Sequence, residues 1–316
     1  MNLAEEIIKG NHRAVAKAIS LVENNNKESS EIIKQIFPYT GKSIVIGVTG
    51  APGSGKSTLV NQLISAFRND HKSIGVIAVD PSSPFSGGAV LGDRIRMIGH
   101  STDPAVFIRS MATRDYLGGV ARTTGLAVFI LEAAGSDIIL VETVGAGQDE
   151  VEVVKLADLV LVVLTPGAGD DIQYFKAGIM EIADVFVLNK ADSPECDSME
   201  QQLKAMLVLG IDEGKVPPVC KTIATTGTGV KHLKKEISDY ISPEKNLLRE
   251  SRRKKLISRT LKDMVNTILF QKPLASFPKK RFEEYIEKIY KRELDPYTAA
   301  EKIVENMGRK GHEQQN

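Results

Sequence analysis

Three features of the sequence predict an α/β fold with a mostly parallel sheet flanked by helices. Short β-branched runs alternate with helical stretches from Ser43 onward. A glycine-rich segment, Gly50 to Gly55, joins the first run to a helical pattern. Acidic residues and an Asn-Lys-x-Asp stretch close later runs, and a parallel sheet gathers its functional loops at the carboxyl ends of its strands.

Residues 3 to 22 place Leu3, Ile7, Ala14, Ala18, Leu21 and Val22 at helical spacing, and Asn24-Asn25-Asn26 breaks the pattern. Residues 1–42 therefore read as a helical N-terminal extension. Strands are expected at Ile44–Val48, Ile74–Val79, Ala105–Ile108, Ile138–Val141, Leu159–Leu164 and Val185–Leu188, which sets the α/β domain at 43–243. Pro243 disfavours helix in the residue before it and can open a new one, so it marks a boundary. Residues 244–316 read as a C-terminal helical arm, with helices around 245–271, 279–292 and 296–307.

Composition excludes several classes. The 316 residues carry 41 Lys+Arg against 40 Asp+Glu, which argues against nucleic acid as a partner. Cys196 and Cys220 are too few for a disulfide framework, so a reducing, cytoplasmic setting is expected. Apolar runs such as Leu159–Leu164 fall far short of the roughly 20 residues a membrane span needs. Glu5, Glu6 and Lys9 stand where a signal peptide would be apolar, so no membrane association is expected. Charge is uneven, however. Residues 245–316 hold 18 Lys+Arg and 10 Asp+Glu, a net of +8, leaving 23 minus 30, or −7, for the first 244. Such an arm is either a solvated helical surface or one that docks onto an acidic partner or an acidic face of a second copy.

Gly50-Ala51-Pro52-Gly53-Ser54-Gly55-Lys56-Ser57 fits G-x-x-x-x-G-K-[ST] between the run Ile44–Val48 and a helical pattern starting at Thr58. That context makes it a P-loop, and the fold a P-loop NTPase. Its glycines let successive N–H groups point at a phosphate, and the following helix N-terminus favours the anion. Lys56 is expected to neutralise β and γ oxygens, being solvated when the site is empty, and Ser57 to ligate Mg²⁺.

Asn189-Lys190-Ala191-Asp192 closes the run Val185–Leu188, roughly 130 residues after Lys56. The Asp192 carboxylate can accept from N1–H and the 2-amino group of guanine, a donor pair that adenine lacks, so GTP and GDP are the expected ligands. Ala224, within Thr222-Ile223-Ala224-Thr225, sits where its N–H could reach the guanine O6. Glu142-Thr143-Val144-Gly145 resembles the strand-end D-x-x-G of GTPases with Glu for Asp. Glu142 would hold Mg²⁺ directly or through water, and Gly145 would donate to the γ-phosphate.

Asp80 and Asp93 bracket a loop rich in Pro, Ser and Gly. With Ser57 and Glu142 they supply hard oxygens for one Mg²⁺ that keeps several waters. Asp93 is the candidate that arrives on loop closure, and Asp80 an outer-sphere or water-orienting group; a helix cap and a turn residue are the plainer readings. Gln148 invites comparison with the water-positioning Gln of some GTPases, against a structural role. The loop from Thr165 to Asp171, leading to Gln173 and Lys176, follows a strand's carboxyl end and faces the nucleotide or a partner, or is a plain loop.

The motifs G-A-P-G-S-G-K-S, V-D-P-S-S-P-F-S-G-G-A-V-L-G-D-R, E-T-V-G, T-P-G-A-G-D and K-A-G-I-M-E-I-A-D-V-F-V-L-N-K-A-D occur here in one order. Together they resemble the MeaB/ArgK/MMAA family of SIMIBI-class P-loop GTPases, strongly over residues 1 to 245. The resemblance implies GTP hydrolysis with Mg²⁺, a homodimer assembled with the C-terminal extension, and a chaperone role. In that role the protein would gate cobalamin loading and protection of an adenosylcobalamin-dependent acyl-CoA mutase, methylmalonyl-CoA mutase or a relative. It also implies that Asp80, Asp93 and Glu142 match the family's metal-site acids and that Thr165 to Lys176 matches a mutase-responsive switch. Ala146 and Asp149 stand where the family usually shows Val and Ser. Alternative readings are a metal-delivery SIMIBI GTPase, against which the scattered histidines His12, His71, His100, His232 and His312 speak, and a transport-associated ATPase or kinase.

Overall fold

The computed structural model describes residues 2–24, 26–81, 98–100, 102–113, 119–143, 156–167, 182–210, 216–242, 246–266, 269, 274 and 277–313. The chain divides into two compact units, Met1–Leu256 and Ile257–Asn316. The first is built on a seven-stranded sheet in the order β3-β2-β4-β1-β5-β6-β7. Its strands are β1 (Ile44–Gly50), β2 (Ile74–Pro81), β3 (Val106–Thr113), β4 (Ile138–Thr143), β5 (Leu159–Leu164), β6 (Val185–Asn189) and β7 (Val219–Thr222). All the pairings are parallel. The parallel α/β architecture is thus as expected from the alternation of runs.

Strand residues alternate between two cores. Val45, Ile77, Val141, Val162 and Phe186 face one side, together with α1 (Leu3–Ile8), α2 (His12–Glu23), α3 (Lys27–Ile36), α5 (Gly119–Ala133) and α6 (Cys196–Gly210). Ile46, Val48, Val76, Leu161 and Val187 face the other, against α4 (Lys56–Arg68) and α7 (Val230–Tyr240). Burial on both faces explains the continuous apolar text of β4, β5 and β6.

Several elements differ from the sequence expectation. The helical stretch 3–22 is two helices, because Gly10 takes φ +76° and Asn11 caps the second helix by accepting from the Arg13 and Ala14 amides. A third helix begins after Asn26, which accepts from the Glu28 amide; the asparagine that breaks one pattern starts the next. Strand β3 runs on to Thr113, and the sequence reading missed β7, a short edge strand whose Lys221 and Thr222 dilute its apolar signal.

Beyond β7 and α7 come α8 (Asn246–Asn266), α9 (Lys279–Tyr290) and α10 (Pro296–Glu313). The start of α8, through Leu256, belongs to the first unit. In the second unit, α9 and α10 pack beside an apolar groove of about 360 Å³ lined by residues including Phe282, Ile286, Ile289, Ala299 and Ile303. Asp295 caps α10, accepting from the Thr298 amide and hydroxyl.

Candidate nucleotide site

The strand order reverses at β1, which lies between β4 and β5. A crevice at that point is where open parallel sheets bind ligands. Gly50 ends β1 with φ +146°, and a Cβ there would lie 2.1 Å from the Val163 carbonyl oxygen. Only glycine lets β1 leave the sheet this close to β5. The loop then turns through exposed Pro52 and Gly53, with the Ser54 N–H donating to Ala51 O at 3.1 Å. Gly55, at φ +92°, delivers the chain into α4, whose first turn holds Lys56, Ser57 and half-buried Thr58.

Lys56 sits inside the loop. Its side chain is folded into the loop, Nζ donating to Gly50 O at 2.7 Å and Ala51 O at 2.9 Å, and the residue is only 5% exposed. An ammonium beside two carbonyl oxygens that the tight turn leaves available is drawn to them rather than to bulk water. Ser57 Oγ donates to Glu142 Oε1 at 2.6 Å, a contact between α4 and β4 buried from solvent. The pairing of Val48 with Glu142 in the β1–β4 ladder fixes that carboxylate beside the loop.

Asn189 ties the end of β6 to the same loop. Its Nδ2 donates to Ser54 O at 2.8 Å, while Oδ1 accepts from Thr222 Oγ1 at 3.1 Å and the Ala224 N–H at 3.0 Å. A Cβ on Gly55 would lie 2.2 Å from Asn189 Nδ2, so the two motifs are packed directly on each other. Asn189 is 3% exposed and acts here as a clip between loops. The Ala224 amide is given to Asn189, so donation to a base oxygen requires sharing that N–H. Lys190 adopts φ +59°, and both it and Asp192 are exposed. Sequence reasoning missed the part of Thr222, fully buried and third partner of Asn189; its only signal was its place just before Ile223-Ala224.

Asp80 lies at the carboxyl end of β2, its backbone paired with Ala112, and its side chain is outside those described. Asp93, Gly145 and Gln148 lie outside the described residues, as do Ala146, Asp149, Asp170, Asp171 and Lys176. Thr165 and Gly167 open the loop after β5.

The donor set suits a phosphorylated ligand with a hard cation. Ser57 Oγ and Glu142 Oε1 form a buried oxygen pair of the kind that Mg²⁺ takes with several waters retained. At the end of β1, in the phosphate loop and just after β5, the buried hydroxyls of Thr49, Ser54 and Thr165 have no hydrogen-bond partner among the described residues. Buried polar groups are normally satisfied, so these fit a site that a polar ligand completes. The N-terminus of α4 adds a field favouring an anion.

A P-loop at the switch point of a parallel sheet, clipped to an N-K-x-D turn, defines a P-loop GTPase. The chain belongs to the family described as methylmalonyl Co-A mutase-associated GTPase MeaB, whose model matches residues 15–277. A chain from Pyrococcus abyssi, provisionally named a GTPase, is 48% identical over 311 residues, 96% of each chain. GTPase ArgK of Escherichia coli is 40% identical over 197 residues, 60% of each chain. The mouse methylmalonic aciduria type A homolog, a mitochondrial protein, is 38% identical over 200 residues, 59% of this chain and 48% of its own. Among solved structures, one titled LAO/AO transport system kinase covers 97% of this chain, and 96% of its own, with a TM-score of 0.67. At 24% identity that likeness carries the fold alone.

Proposed function

We propose that the chain is a Mg²⁺-dependent GTP-hydrolysing switch that gates cobalamin loading and protection of an adenosylcobalamin-dependent acyl-CoA mutase, methylmalonyl-CoA mutase being the named candidate. The observation that carries this reading is the membership of the MeaB family over most of the chain, with the P-loop, Glu142 and Asn189 converging on one crevice.

In this reading the N–H groups of Gly53 to Thr58 surround the phosphates, and Lys56 swings from the Gly50 and Ala51 carbonyls to β and γ oxygens. Ser57 and Glu142 would hold the cation, with Asp93 joining on loop closure and Asp80 acting in its outer sphere. Mg²⁺, when bound, neutralises charge developing on the phosphate oxygens. Asp192 accepts from guanine, and Asn189 holds the base loop against the phosphate loop. Asp80 and Gln148 orient the attacking water. Its oxygen forms a bond to the γ-phosphorus as the bond to the bridging oxygen breaks, giving GDP and phosphate, and Gly145 loses its acceptor.

The tail suits a homodimer. Ile257, Leu261, Val265 and Leu269 recur every four residues and are 46–60% exposed, an apolar stripe that a second copy would cover. The side chain of Leu256 and the whole of Ile268 lie outside the described residues. Among the described residues no helix is long and apolar enough to cross a membrane, and a cytoplasmic location accompanies this reading.

Phosphate release tests the proposal. Adding a cobalamin-dependent acyl-CoA mutase should raise turnover by at least about tenfold, given that partners of GTPases supply up to several orders of magnitude. Substituting Asp170, Asp171 or Lys176 should blunt that rise and leave basal turnover intact. GTP hydrolysis that no such mutase accelerates would refute the chaperone reading while leaving the GTPase class intact.

A further inference from the structure

Opposite the nucleotide crevice, at the amino-terminal rim of the sheet, two buried aspartates lock adjacent strands together. Asp158 precedes β5, donating its N–H to Val45 O and accepting the Val45 N–H on Oδ2, so it joins β5 to β1. Asp184 precedes β6 and does the same with Val160, joining β6 to β5. Two consecutive arginines of α8 close over them. Arg253 binds Asp158 through both carboxylate oxygens at 2.8 Å and also donates to Gly41 O and Ser43 O, just before β1. Arg252 binds both oxygens of Asp184, donates to Asp158 O at 3.1 Å, and lies beside the Tyr240 ring.

The same three strands end at the nucleotide loops: β1 at Gly50, β5 at Thr165 to Gly167, β6 at Asn189. At that end Asn189 ties β6 to the loop after β1 through Ser54 O. Each strand interior is buried, and close-packed interiors move as bodies rather than deforming continuously. We propose that Arg252 and Arg253 are positioning residues for the nucleotide loops: docking of α8 at the amino rim of β1, β5 and β6 and nucleotide binding at their carboxyl ends are thermodynamically linked. The two states differ in stated contacts. With α8 docked, both aspartates hold a bidentate guanidinium; with α8 released, Asp158 keeps the Val45 N–H and Asp184 keeps the Val160 N–H and the Tyr240 hydroxyl.

Linkage makes the effect reciprocal, with a coupling commonly in the range of about 5- to 150-fold. It rests on the reading of the crevice as a guanine-nucleotide site. Hydrogen exchange on the full wild-type chain should show amides of residues 246–256 slowed at least about fivefold by a non-hydrolysable GTP analogue. The double variant R252M/R253M should bind the analogue more weakly by the same factor. The double variant R252K/R253K, which keeps the charges but not the bidentate geometry, should fall between. Tight binding with exchange at 246–256 unchanged overturns the linkage alone. A wild-type protein that binds no guanine nucleotide overturns the site reading, and the linkage with it. Should R252M/R253M fail to fold, exchange in the wild type and the affinity of R252K/R253K decide; a lysine variant with wild-type affinity and an exposed α8 refutes the proposal.

Discussion

Where the chain is cut decides whether the GTPase unit survives. A truncation after residue 244 follows the Pro243 boundary, whereas one after Leu256 follows the compact unit. Only the first removes Arg252 and Arg253. Their partners Asp184 and Asp158 have side chains 7% and 4% exposed with α8 in place, so both carboxylates would lose their counter-charge together with the helix that covers them. Breaking a buried ion pair by removing one partner costs about 3–5 kcal/mol. Arg253, 22% exposed, warrants that figure, while Arg252, 40% exposed, warrants roughly half of it for solvent screening. The sum, about 4.5–7.5 kcal/mol at most, is comparable with the ~5–15 kcal/mol by which whole domains are stable. Urea unfolding of the two truncated proteins should therefore show residues 1–256 folding cooperatively and residues 1–244 with a midpoint lowered by several molar or no transition at all. Equal midpoints would refute the argument, since the two aspartates would then be satisfied without α8. The proposed homodimer is to be tested with the longer fragment, where removal of the apolar stripe is not confounded with loss of the arginines.

Other outcomes follow from the site itself. Gly55→Ala combines a backbone at φ +92° with a Cβ 2.2 Å from Asn189 Nδ2, so strain plus lost Asn189 bonds should cost about 3 kcal/mol of stability and lower GTP affinity at least about tenfold, read by denaturation and calorimetry. An unchanged affinity would show that the Asn189 clip is dispensable. Asp192→Asn should weaken GTP binding roughly a hundredfold and shift preference toward xanthine nucleotides, because a charge-assisted pair is lost; equal affinity of the wild type for ATP and GTP would sink the guanine assignment. Burial holds the Glu132 carboxyl above its ordinary value of 4.5, although Arg253 and the Gly41 N–H act to lower it. The folded chain thus holds that proton more tightly than the unfolded chain, and ionisation costs stability as pH rises above 4.5. Glu132→Gln should raise the melting temperature at about pH 8 and leave it nearly unchanged at about pH 4; a uniform change at both would contradict the burial argument.

What the sequence determined is what local geometry imposes. From Ile44 to Phe67, strand, glycine turn and helix are contiguous, and the backbone requirements of Gly50 and Gly55 fall at fixed spacing, so motif and conformation are one statement. Alternating β-branched runs likewise determined the parallel sheet, since burial on both faces leaves an unbroken apolar text. The Asn189 turn was legible as a motif, but not as a clip, because Ser54 and Thr222 reach it across 135 and 33 residues of chain. Only the tertiary structure decided that Lys56 turns inward and that α8 begins as part of the GTPase unit. In the sequence, Arg252-Arg253-Lys254-Lys255 is a basic run like any solvated helix face. Which two of the four guanidinium and ammonium groups find a carboxylate depends on where the strands β5 and β6 begin. Charge carries no address, and a pairing between residues 95 and 68 positions apart is set by the packing that brings two strand ends under one helix.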